Sequence, residues 1–205
     1  MSGSNESDTL MYIVQAAGTE PLAAESSASL VSTDKLLAGF KAGGFFEINS
    51  FAFAMDLSDD EGGGAGAPGA RTPQERGSYA RWRALGESTA KPAPPFLATA
   101  QDVSFSRKMD KSSSELMKHC LDNKRFDTAV VVRRSRHGTE GTLSVFLRLE
   151  FRKVRIKALR WEDGDIVKEI CKFDFETMKG TYVKRNPDGT PAANWPLAWS
   201  KAPNA

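Results

Sequence analysis

The sequence is short of the residues on which most enzymes and metal sites depend. It has two histidines and two cysteines in 205 residues. Cys120 and Cys171 are far apart, and neither belongs to a CxxC pair. A structural zinc site takes four clustered Cys or His ligands, and His119, Cys120, His137 and Cys171 are all that the chain could offer. No metal and no cofactor are therefore expected. The two thiols read as small buried hydrophobes of a reducing compartment. Long apolar runs are also missing: nothing approaches the roughly 18 residues of a membrane span, so membrane insertion is not expected. The opening MSGSNESDTL is polar and acidic, without the basic and apolar regions of a secretory signal. The chain is expected to be made in the cytoplasm, and any export would follow a signal-independent route. GxSxG, P-loop, HExxH and a GxGxxG leading into a helix are all absent, so no enzyme class is indicated.

What is present is an ordinary globular balance, 40% hydrophobic and 26% charged, suited to one domain over residues 1–205. Residues 1–9 are expected to be flexible and 192–205 to form a loosely docked tail. Charge is uneven. Residues 107–160 hold 15 Lys or Arg against 6 Asp or Glu, whereas the first 100 hold 7 against 12. Such a split suits a nucleic-acid face or complementary surfaces between copies of the chain.

Periodicity of two dominates. LMYIVQA is one strand, and FFEINSFAFAM (Phe45–Met55) reads as a second, continuous one. DVSFSRKM puts Val103, Phe105, Arg107 and Met109 on one side. FDTAVVVRRS and TLSVFLRLEF follow, joined by a polar hairpin tip that contains His137. The apolar phase then slips from Phe151 to Val154 and Ile156, which predicts a bulge or bend near Arg152–Val154. EDGD is a hairpin signal. IVKEICKFDFETM aligns Val167, Cys171, Phe173 and Phe175, and GTYVKR is a last strand. Between the early and late strands lies a Gly/Pro-rich stretch, 58–95, longer than a compact domain normally carries without function. Its centre holds Tyr79, Arg81, Trp82 and Arg83, residue types favoured as interface anchors. The pattern of seven or eight short strands, one helix and one long loop suggests a sandwich or barrel, with the helix plugging an end or covering an edge.

MDKSSSELMKHCLDNKRF is the one helical segment. Ser112 and Glu115 form a capping-box pattern, and Leu116, Met117, Cys120 and Leu121 form an apolar stripe. Asn123 is the stop. On this wheel Cys120 faces inward and His119 outward, so the adjacent pair cannot work as nucleophile and base. Basic residues on the later strands, including Arg148 and Arg152, interleave with apolar ones. Only Phe146 shares their face as a base-stacking aromatic, which is thin support for a nucleic-acid surface. A contact with the acidic half of a neighbouring copy fits at least as well.

Three segments together resemble the Hcp family, the tube proteins of bacterial type VI secretion systems. NSFAFAM matches an aromatic strand, with Phe51 and Phe53 in place of the more usual tryptophans. FSRKMDKSSSELMKHCLDNKRFDTAVVVRR matches the central signature through Asp110, Lys111, Ser113, Leu116 and Cys120. KEICKFDFETMKGTYVKRNPDGTP matches the closing strands, with Glu169 at an acidic position. The first 44 residues match poorly, and the 58–95 stretch exceeds the usual loop. The resemblance implies a mainly β fold, a two-sheet barrel with one α-helix and a long extended loop. It further implies a structural, non-enzymatic role. Six copies form a ring, rings stack into a hollow tube inside contractile sheath proteins, and a VgrG-type spike protein tips the tube. Contraction expels it from the cytoplasm without a signal peptide, and secreted effectors ride with it. Tyr79, Arg81, Trp82, Arg83, Arg148 and Arg152 are the expected contact residues between subunits or rings. The alternative is a basic β-barrel that binds nucleic acid or another partner.

Overall fold

The computed structural model describes residues 7–15, 20–25, 34–58, 97–137, 142–186 and 190–201. Two compact units divide the chain, one of Met1–Ala54 with Ala100–Ala205, the other Met55–Thr99. In the second, the described residues belong to a two-stranded ribbon of β4 (Met55–Ser58) and β5 (Leu97–Ala100).

The first unit is mainly β with, among the described residues, one α-helix, α1 (Ser113–Leu121). Its strands are β1 (Ser7–Val14), β2 (Phe45–Glu47), β3 (Ser50–Ala52), β6 (Val103–Lys108), β7 (Arg125–His137), β8 (Thr142–Glu162), β9 (Lys168–Asp174), β10 (Thr177–Arg185) and β11 (Pro191–Ser200). All nine join one antiparallel sheet in the order β2-β1-β7-β8-β9-β6-β3, with β10 and β11 branching from β8.

The fork follows from the phase slip in the sequence. One edge of β8 pairs with β7 along most of its length. The other edge pairs Leu147–Arg152 with β10 and Arg155–Glu162 with β9. The switch falls at Lys153, whose φ of 55° is left-handed; the register with β7 is the same on either side of it, so the residue kinks the strand without adding a bulge. It turns the apolar set from Leu149 and Phe151 to Val154 and Ile156, so that all four stay buried. Lys153 itself points out and pairs with Asp127 at 3.0 Å.

β1 and β7 are apolar on both faces because both faces are covered. Met11, Ile13, Ala129 and Val131 enter the larger core with Phe105, Phe151 and Phe173. Leu10, Tyr12, Val130 and Val132 face a smaller core with Leu37, Phe45 and Val145. Where β10 stops pairing with β8, the backbone of Val145 takes side-chain partners instead. Its N–H donates to Asp34 Oδ2 at 3.0 Å and its carbonyl accepts from Arg185 Nη2 at 2.6 Å, which satisfies groups that would otherwise be orphaned.

Several local expectations need correction. Phe45–Met55 is not continuous: it breaks into β2, β3 and the start of β4. Phe45, Phe46 and Ile48 are all buried, and no single alternating strand can bury that set on one face. Residues 7–9 belong to β1, paired with β7. The expected tail is a strand over Pro191–Ser200, paired along β10. Most of the predicted 58–95 loop lies outside the described residues.

Candidate functional site

The structure puts the family-like segment around a buried charge. Arg107, on β6, and Glu169, on β9, sit opposite each other in the ladder, and both side chains are essentially fully buried. Arg107 Nε donates to Glu169 Oε1 at 2.6 Å. Its Nη1 donates to Ser112 Oγ at 2.7 Å and its Nη2 to Ser113 Oγ at 2.9 Å. Asp110 adds a second carboxylate, 3.1 Å from Nη1, and the guanidinium lies 4.5 Å from the centre of the Phe46 ring. The other Glu169 oxygen accepts from Trp161 Nε1 at 2.9 Å. Buried charges are tolerated only when paired and hydrogen-bonded in this way. Asp110, Ser112, Ser113 and Glu169 therefore form a single cluster around Arg107 that fastens the start of α1 to β6 and β9, while Lys111 of the same pattern stays exposed.

The cluster displaces the expected capping box. Ser112 makes no side-chain cap bond; its hydroxyl donates to Asp110 Oδ1 at 2.5 Å. Glu115 accepts from Gln15 Nε2 at 2.9 Å instead of reaching back to the cap. The cap of α1 is an Asx turn, with the Ser112 N–H donating to Asp110 Oδ1 at 2.8 Å. The stop is as expected. Asn123 has φ 52°, and the Asn123 and Lys124 N–H groups donate to Cys120 and His119 carbonyls at 3.3 and 3.0 Å, the two bonds of a Schellman end.

The helix is also rotated from the expected wheel. Its buried residues are Ser113 and Leu116, while Met117 and Leu121 are exposed. His119 is not an outer residue. It stacks on Phe126 with ring centres 4.0 Å apart, and its Nδ1–H donates to the Glu115 carbonyl at 3.0 Å. Cys120 is half-buried and Cys171 fully so. Burial first, and then the negative charge of Glu169, push the Cys171 thiol far above its ordinary value, so it stays protonated and a poor nucleophile. Among the described residues no three His, Cys, Asp or Glu side chains gather as a metal site.

Of the expected contact residues, Tyr79, Arg81, Trp82 and Arg83 lie outside the described residues. Arg148 and Arg152 share a face of β8 and converge on Glu150, at 2.8 and 2.7 Å. Arg148 also reaches over Phe40, 5.1 Å from the ring centre. The rest of basic β8 is matched by acids of this chain. Lys153 pairs with Asp127, Arg155 with Asp174, Lys157 with Asp102 and Arg160 with Glu162. The charge split seen along the sequence largely cancels once the strands pair.

One surface went unnoticed in the sequence. Tyr182 on β10 lies opposite Trp195 on β11, and Gly180 opposite Leu197. Tyr182, Trp195 and Leu197 are each more than two-fifths exposed. Tyr182 packs on Trp195 at 5.7 Å and on Phe146 at 6.5 Å. Gly180 lets the strip lie flat, since a Cβ there would come within 2.4 Å of Leu197 Cδ1.

A forked antiparallel sheet with a helix pinned to it by a buried Arg–Glu cluster defines the class: a mainly β fold with, among the described residues, one α-helix and apolar side chains left on its surface. Residues 85–182 match the family described as "Type VI secretion system effector, Hcp". The chain is Hcp-like in sequence over that span and shares the Hcp fold along nearly its whole length. Hcp1 of Salmonella typhimurium superposes with a TM-score of 0.58 at 15% identity, covering 95% of this chain and 94% of that one. Hcp1 of E. coli EAEC 042, as a double tryptophan mutant, gives 0.59 at 13%, covering 94% and 97%. Hcp3 of Pseudomonas aeruginosa, titled a secreted protein, gives 0.54 at 11%, covering 96% and 100%. No curated protein matches the sequence. Among the described residues no helix is long and apolar enough to cross a membrane.

Proposed function

We propose that this chain is a structural subunit of the type VI secretion tube. Six copies close a ring, and rings stack into a hollow tube. The tube is tipped by a VgrG-type spike, enclosed by contractile sheath proteins, and expelled with its effectors without a secretory signal. The observation that carries the reading is the segment from β6 through α1 to β7. It matches the family in sequence and folds as a unit in which Asp110 and Ser113 bind the buried Arg107 while Leu116 and Cys120 pack with the hydrophobic core. The role of those residues is architectural, as a tube wall requires. A nucleic-acid role is not favoured, because the basic residues of β8 are matched by carboxylates of the same chain. Tyr79, Arg81, Trp82, Arg83, Arg148 and Arg152 remain proposed contacts between copies.

Negative-stain imaging of the purified protein tests the proposal. Rings of six subunits with an open centre are expected. A single-chain particle at every concentration would overturn it.

A further inference from the structure

β8 carries at each of its ends a different surface that no described residue covers. Near its start, Phe146 joins Tyr182, Trp195 and Leu197 in the exposed strip. Two cations flank that strip. Arg133 lies 5.8 Å from the Phe146 ring centre, and Lys184 is exposed two residues beyond Tyr182. Among the described residues neither has an ion-pair partner. At its far end, β8 turns into β9 through Asp163, Gly164, Asp165 and Ile166, all exposed. Ile166 is 57% exposed. Asp163 accepts only the Gly164 N–H, and among the described residues neither Asp163 nor Asp165 has an ion-pair partner. One surface is thus aromatic with a basic rim; the other is an apolar tip whose turn carries the carboxylates Asp163 and Asp165, while the flanking Arg160 and Lys168 both pair with Glu162.

The open edge beside the strip is poorly suited to strand addition. β11 is the last strand of its branch, with prolines at Pro191 and Pro196. Pro196 sits opposite Thr181 in the ladder, and a proline held there turns its missing N–H to the open side. Such an edge resists a further strand, which leaves the face of the strip as the contact surface.

We propose that the β8–β9 tip of one copy seats on the Phe146/Tyr182/Trp195 strip of the next, so that this head-to-tail contact closes the ring. The inference rests on the tube-subunit reading and names where its copies meet. A heterologous contact requires two different, complementary surfaces on every subunit. The apolar centres supply buried area, and the opposite rims set partner and orientation.

Charge reversal tests the contact on the full chain, with mass photometry counting rings. One variant carries Asp163→Lys and Asp165→Lys, and the other Arg133→Glu and Lys184→Glu. All four positions are exposed, and circular dichroism checks that both variants fold. Each variant alone should lose at least ten-fold in ring population. Mixing them in equal amounts should restore rings, because each reversed tip then meets a reversed strip in an alternating ring. Asp165→Asn with Lys184→Gln is a milder version and should lower ring population without abolishing it. Rings that persist in either reversed variant, or that lose only their stacking, overturn this contact and leave the tube reading standing. Loss in both variants without recovery on mixing also overturns it. A wild-type chain that forms no rings overturns both.

Discussion

Two regions of this chain invert the usual rule that apolar residues go inside and charges outside. Around Arg107 a full ion pair is buried under the helix. On β10 and β11 a tyrosine, a tryptophan and a leucine stand in the open. A buried charge and an exposed apolar patch are the informative exceptions in a folded protein. The first answers a need of the single chain, because each of the three guanidinium nitrogens finds an acceptor within it. The second finds nothing among the described residues to cover it. If the strip is the contact proposed above, the fold and the assembly are held by different residues, and changes at the two regions should separate the two properties.

The largest expected effect lies at the cluster. Arg107→Ala or Glu169→Ala leaves a buried charge without its partner and should cost about 3–5 kcal/mol in urea unfolding. Arg107→Met combined with Glu169→Leu should recover a good part of that loss, since no lone charge remains. A double variant as unstable as either single one would show that the pair contributes net stability. Next comes Ser113→Ala, which strips an acceptor from Arg107 and should cost about 1–3 kcal/mol. His119→Ala loses the stack on Phe126 and should cost about 1 kcal/mol; no change would put His119 back on the outer face. Arg152→Ala should change stability by no more than about 1 kcal/mol, because its pair with Glu150 is largely solvated.

Cys171 offers a check on the same core by pH. Its thiol is raised in the folded state, so the folded chain prefers the neutral form. That preference contributes fully below the unfolded pKa of about 8.5 and is lost as pH rises through the folded value. Iodoacetamide at pH 8 should label Cys171 slowly in the native protein and rapidly in urea. Rapid native labelling would mean that the core around Glu169 is open to solvent.

The sequence disclosed those features that depend on neighbours along the chain. The phase slip from Phe151 to Val154 located the left-handed kink at Lys153, and Asn123 marked the helix end, because each answers to backbone conformation nearby. The helix rotation did not show. A wheel sorted by hydrophobicity puts Met117 inward and has no reason to bury Ser113, whose partner Arg107 arrives from a different strand. Glu169 stood out only as a family position, and its burial follows from facing Arg107 across the ladder. The last strand left a signal that went unread: Trp195, Leu197 and Trp199 alternate, but the prolines beside them looked like a tail. Proline does not forbid a strand at an edge, and β11 lies at one.

The most direct measurement is the particle mass of Tyr182→Ser with Trp195→Ser, taken alongside its urea midpoint. The account predicts a folded single-chain particle, unfolding far closer to wild type than Arg107→Ala does, under conditions in which wild type forms rings. Rings that persist in the double variant, or a loss of folding as deep as that of Arg107→Ala, would contradict the division between a buried cluster that holds the fold and an exposed strip that holds the assembly.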